Sequence, residues 1–103
     1  MVVLRLVPIV ALLASLPASA YDGLEADMAT CTQSNEREAV VAACSRLIDN
    51  SAKENAIVGM FYGLRAASNN DTAQNCADAK KSLSLADDDA IRTLSQQLID
   101  QNC

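Results

Sequence analysis

Four cysteines, Cys31, Cys44, Cys76 and Cys103, are spread along a chain with one phenylalanine, two tyrosines and no tryptophan. That pairing of features constrains the fold more than any other. Phe61, Tyr21 and Tyr62 are the only aromatic residues, so alanine and short aliphatic side chains must fill the core and helices must approach one another closely. Little apolar area is then available to offset the conformational entropy of ordering the chain. A domain of this size buries only about 60% of its unfolded surface and is marginal without help. Crosslinks are the expected remedy.

The N-terminus places those cysteines in a compartment where crosslinks form. Arg5 is the only early charge, Leu6 to Leu16 is apolar apart from Pro8 and Ser15, and Pro17 precedes Ala18-Ser19-Ala20. A charged start, an apolar run and small residues at the cleavage positions make a secretory signal. Residues 1–20 are therefore expected to be removed, with cleavage between Ala20 and Tyr21 and a periplasmic or secreted product. The competing reading, a membrane anchor, fails on length, because a span needs about 20 apolar residues. Tyr21 rather than cysteine follows the cleavage point, so a lipoprotein anchor is not expected. The remaining chain, residues 21–103, loses Arg5 and keeps seven basic residues against thirteen acidic ones, a net charge of −6. Such a surface disfavours nucleic acid and anionic lipid, and no later apolar run reaches membrane length, so neither nucleic-acid binding nor membrane insertion is expected.

In an oxidising compartment four cysteines imply two disulfides, for which three connectivities exist. The local pairings Cys31–Cys44 and Cys76–Cys103 are the expected ones; each would contribute about 3 kcal/mol on the chain-entropy model. Zinc sites usually hold thiolates two residues apart, whereas these lie 13, 32 and 27 apart in sequence. No Cys-x-x-Cys redox motif occurs either.

Helix signals recur along the rest of the chain. Asp22 to Met28 reads as a short first helix and Thr30 to Ser34 as a polar connection. Ser34 or Asn35 can cap a second helix whose stripe is Val40, Ala43, Cys44, Leu47 and Ile48. Ser51 with Glu54 reads as a capping box for a third helix bearing Ile57, Met60, Phe61, Leu64 and Ala67. Asp71 with Gln74 caps a fourth, and Asp87-Asp88-Asp89 opens a fifth with Ile91, Leu94, Leu98 and Ile99 on its face. No stretch alternates with period two. The reading is all-α: about five short helices in antiparallel pairs joined by short connections, stapled by two disulfides. Gly59 and Gly63, four apart on the third helix, are expected to admit a close neighbour.

Ala56 to Asp89 is 34 residues long, and its landmarks resemble a tetratricopeptide repeat. Gly63 falls at the glycine of the first helix, Asn70-Asp71 replaces the Gly-Asp turn, and Lys81-Ser82-Leu83-Ser84-Leu85 is similar to the close of the second helix. Glu38 to Ile48, with Ala42-Ala43-Cys44 inside it and Cys31 ahead of it, looks like the second helix of a preceding repeat in exported bacterial members. The likeness covers about Cys31 to Asp89. It departs from the pattern at Asn75, which replaces a small alanine, at Asp87, which replaces a closing proline, and at Ala66, which replaces a tyrosine. The resemblance implies a binding groove for a protein or peptide on the first helix of the repeat, at Ile57, Met60, Leu64 and Ser68. In so small a domain the better reading of the three apolar ones is core; Met60 has the thioether that suits an adaptable surface.

Chemistry is sparse. Histidine is absent, which removes the commonest general base and the usual activator of serine and cysteine nucleophiles. Glu36, Glu38, Glu54, Asp71 and Asp87 to Asp89 are placed where capping explains them. Neither an EF-hand spacing nor a glycine-rich phosphate loop is present. The expectation is a non-catalytic module without metal or cofactor that binds a protein or peptide. The alternative is a small periplasmic inhibitor or immunity-type protein that blocks a cell-envelope enzyme.

Overall fold

A computed structural model describes residues 21–103; the expected export signal over residues 1–20 lies outside the described residues. Five helices follow in order: α1 Leu24–Gln33, α2 Arg37–Asp49, α3 Ala56–Ser68, α4 Thr72–Leu85 and α5 Asp89–Asn102. The described residues contain no strand. None of these helices is long and apolar enough to cross a membrane.

Each helix packs on the next, as short connections require, and α3 also touches α1 and α5. The helices α2 and α4 do not touch. The chain is thus a row of helix pairs in which the odd-numbered helices share one layer and α3 is central.

Both expected disulfides are present, Cys31–Cys44 joining α1 to α2 and Cys76–Cys103 joining α4 to the end of α5. Two disulfides in so small a chain fit an oxidising compartment.

The helix boundaries differ from expectation in three places. The first helix runs on through Thr30 to Gln33, because buried Cys31 continues the face begun by Leu24 and Asp27; Thr32 turns its hydroxyl back onto the Met28 carbonyl at 2.7 Å. For the second helix, neither Ser34 nor Asn35 is the cap residue. Glu36 holds that position without a side-chain bond, and Ser34 Oγ accepts from the Glu36 amide instead. The Ser51–Glu54 capping box does not form. Ser51 donates to the Leu47 carbonyl at 2.7 Å, Glu54 pairs with Lys81 of α4 at 2.6 Å, and Asn55 caps α3 by accepting from the Val58 amide. Asp71 caps α4 through Gln74 as expected, and Asp88 is the aspartate of its run that caps α5.

The two ends of the row have different interiors. Leu24, Cys31, Val40, Ala43, Cys44, Leu47, Val58 and Phe61 form one buried cluster among α1, α2 and α3. Ala66, Ala79 and Leu98 form a second, much thinner one among α3, α4 and α5. Between α3 and α4 the backbones approach closely. A Cβ on Gly59 would lie 2.8 Å from the Leu85 Cβ, and one on Gly63 would lie 2.8 Å from the Ser82 hydroxyl. The expectation that these two glycines admit a neighbour is met.

Candidate functional site

A helix in the middle of a layer can bury most of its circumference, and α3 does so. Val58, Gly59, Phe61, Gly63 and Ala66 are buried. The turn-by-turn stripe Ile57, Met60, Leu64 and Ser68, three to four residues apart, is half-buried throughout, and Ala67 beside it is exposed. Ile57, Met60 and Leu64 rest their inner sides on the α1–α3 core. The stripe shares this half-burial with Ala56, Tyr62 and Arg65, and each of its apolar members also contributes to packing. Met28 of α1 is half-buried against the same core.

The structure separates Ser68 from the other three in character. It ends α3 beside the start of α2, where its carbonyl accepts from Arg37 Nε at 3.2 Å. There it borders a cleft of about 280 Å³ with Arg37, Glu38, Val41, Ala42, Asn69 and Asn70. Ile57, Met60 and Leu64 form an apolar strip, and Ser68 belongs to a mixed polar cleft at one end of it.

Three polar clusters fasten neighbouring helices to one another. In the first, Arg46 of α2 clamps Asp27 of α1, with Nη2 2.7 Å and Nε 3.0 Å from its carboxylate oxygens. Tyr21 donates its hydroxyl to the same carboxylate at 2.7 Å. The Arg46 bond holds the Asp27 carboxyl below its ordinary range, against the opposing effect of burial. The Tyr21 phenol is pushed up to about 12 by burial first, then by its bond to Asp27 and the charge of that carboxylate.

In the second cluster, Arg65 of α3 grips Asp78 of α4 with two bonds, 2.7 and 2.8 Å. It also donates to Ser45 of α2 at 3.2 Å and lies 5.4 Å from the centre of the Tyr62 ring. Gln74 donates to the same carboxylate. The bond to Asp78 raises the Arg65 guanidinium above its usual value, against the opposing effect of burial.

The third cluster joins α4 to α5. Ser95 Oγ lies 2.8 Å from Ser82 Oγ and 2.7 Å from the Ile91 carbonyl, with both serines fully buried. A hydroxyl carries one proton, so when Ser95 donates to Ile91, Ser82 donates to Ser95.

Sequence patterning missed all three clusters, although a signal for two was present. Asp27 shares its helix face with Leu24 and Cys31, and Asp78 neighbours buried Ala79. A carboxylate on an apolar face requires a cation or several donors, which Arg46 and Arg65 supply. Asn75, the departure from the repeat pattern, also gains a reason. It is buried and donates to the Asn69 carbonyl at 2.8 Å, tying α4 to the turn that precedes it.

Capping does not account for all the acidic residues to which it was assigned. Glu36 makes no side-chain cap bond and Glu54 pairs with Lys81. Among the described residues, no three His, Cys, Asp or Glu side chains are grouped so as to hold a metal ion. Asp27 and Asp78 are each paired with an arginine of a neighbouring helix.

No family model, curated protein or solved structure matches this chain.

Proposed function

We propose that this protein is a non-catalytic, exported helical-repeat module, tetratricopeptide-like, that holds a protein or peptide partner on the strip Ile57, Met60 and Leu64. The observation that carries this reading is the asymmetry of α3: one side sealed by Val58, Phe61 and Ala66, the other left half-open and apolar. The layered packing supports the repeat assignment, because α3 contacts both α1 and α5 while α2 and α4 stay apart. Gly63 meeting Ser82 at the α3–α4 crossing supports it as well. An amphipathic or extended partner segment would cover the outer sides of the three apolar residues. Export, with cleavage between Ala20 and Tyr21, puts that partner in the periplasm or outside the cell. The inhibitor reading is less well supported, since the longest connection, residues 50–55, is too short for a plug.

Met60 provides the test. Half-burial predicts that Met60→Ala costs about 1–2 kcal/mol, below the 2–5 kcal/mol range of fully buried positions. The oxidised chain 21–103 and its Met60→Ala variant would be used to capture partners from envelope extract, alongside thermal melts. The expected result is a partner retained by the parent chain and lost by a variant that still melts cooperatively. An unchanged capture pattern, or a melt as low as that of Phe61→Ala, would remove the strip as a binding face.

A further inference from the structure

The two disulfides sit in opposite environments. Cys31 and Cys44 are 2% and 0% exposed and belong to the main apolar cluster. Cys76 is half-buried and Cys103 is exposed, at the end of α5. An attacking thiolate must reach a sulfur along the S–S axis, so access governs which bond exchanges. We propose that Cys76–Cys103 is a site of thiol–disulfide exchange with dithiol reductants, and that opening it releases α5 while α1–α4 stay folded.

The exchange is balanced as follows in chemical terms. One thiolate of the dithiol attacks Cys103 Sγ, forming a mixed disulfide and expelling Cys76 as a thiolate, which takes up a proton. The second thiol of the reagent then attacks its own sulfur in the mixed disulfide and expels Cys103. The dithiol leaves as a disulfide, and both cysteines are left as thiols.

The structural consequence rests on how little else fastens α5. Leu98 is its one buried apolar residue, and it meets only Ala66 and Ala79 as buried neighbours, with Leu94 and Ile99 partly covered. The Ser82–Ser95 pair adds one buried bond. Arg92 reaches the Leu83 and Ala86 carbonyls only at 3.5 and 3.3 Å, on the exposed surface. A helix of 14 residues is marginal on its own in water, so it depends on this thin contact and the staple. The larger α1–α3 cluster contains no residue of α5, and α4 is held independently to α3 by Arg65–Asp78 and to the connection before α3 by Glu54–Lys81. Loss of α5 would uncover the Ala66 side of α3 and the Ala79–Ser82 side of α4.

Dithiothreitol is the probe. The oxidised chain is exposed to it under native conditions, sampled with time and alkylated, and the modified cysteines are mapped. Cys76 and Cys103 should be modified together, at least about tenfold faster than Cys31 and Cys44, because reaching the inner bond requires opening the core. Hydrogen exchange on the half-reduced species should show protection lost over residues 89–102 and kept in α2 and α3. A Cys76→Ser/Cys103→Ser variant should reproduce that pattern; if it cannot be prepared folded, the half-reduced parent chain carries the measurement alone. Equal rates for the two bonds, or earlier opening of Cys31–Cys44, would overturn the site assignment. Unchanged protection in α5, or loss throughout the chain, would overturn the release.

Discussion

The α1–α3 end of the molecule and its α4–α5 end are built from the same materials, short helices and one disulfide each, yet they are held by different forces. At the first end, Phe61, Leu47, Val58, Leu24 and Val40 enclose the Cys31–Cys44 bond, so the staple is itself part of the core. At the second end, the buried apolar residues are Ala66, Ala79 and Leu98, beside the polar Asn75, Asp78, Ser82 and Ser95. There the backbones come close at Gly59 and Gly63, and the staple lies outside, where it substitutes for a core. A disulfide added to a packed interior and a disulfide used in place of one therefore have different vulnerabilities, the first to cavity formation and the second to reduction.

Truncation at the first end should have the largest effect. Phe61 is fully buried, and Phe61→Ala should cost about 3–5 kcal/mol, close to the whole stability of a small domain. The variant should show little cooperative melting even when oxidised. Leu98→Ala is the matching test at the second end. Its neighbours are small and Cys76–Cys103 still confines α5, so the expected cost is at the low end of the range, about 2 kcal/mol. Hydrogen exchange should place the loss in residues 89–102. A Leu98→Ala melt as low as that of Phe61→Ala would mean that the two ends form one cooperative unit, and the contrast would fail.

How much of this was legible in the sequence follows from the same contrast. Helix stripes and cysteine spacing are local or nearly local patterns, and they led to five helices and both disulfide partners. The starts of α2 and α3 were misplaced because a capping signature is only an offer of hydrogen bonds. Ser51 found a carbonyl one turn back in α2 and Glu54 found a lysine on another helix, and both bonds depend on where those partners lie in space. Ile57, Met60 and Leu64 recur at helical spacing, but periodicity says which residues share a face and not how far neighbouring helices cover it. Half-burial at Ile57, Met60 and Leu64 is a product of packing against the α1–α3 cluster.

A smaller effect tests whether hydrogen bonds fasten the second end. Ser95→Ala removes the acceptor of the buried Ser82 hydroxyl, leaving it unpaired at a cost of about 1–3 kcal/mol. Changing both serines to alanine removes the stranded group, and the double variant should be nearly as stable as the parent. Equilibrium urea unfolding of Ser95→Ala, Ser82→Ala and the double variant measures the coupling. Additive losses would show that the pair is not a unit.

The smallest expected effect is confined to the first end and depends on pH. The Tyr21 phenol titrates at about 12 when folded, against an ordinary value of 10.0, so folding favours its neutral form. That stabilisation is complete below pH 10 and is lost as pH rises from 10 towards 12. Asp27 behaves oppositely: its lowered value stabilises the fold above the ordinary carboxylate range, and that contribution fades as pH falls through it. Tyr21→Phe should therefore lower stability slightly at neutral pH, where the bond to Asp27 is lost, and flatten the decline in urea midpoint on the alkaline side. Alkaline cleavage of disulfides affects the parent and the variant alike, so the difference between their two curves isolates the phenol. Arg46 keeps Asp27 paired in either chain, which limits the neutral-pH loss to that of one partly exposed hydrogen bond, about 1 kcal/mol. Parallel alkaline curves for the two chains would show that Tyr21 does not buttress the α1–α2 clamp, and the first end would then rest on its apolar cluster and Asp27–Arg46 alone.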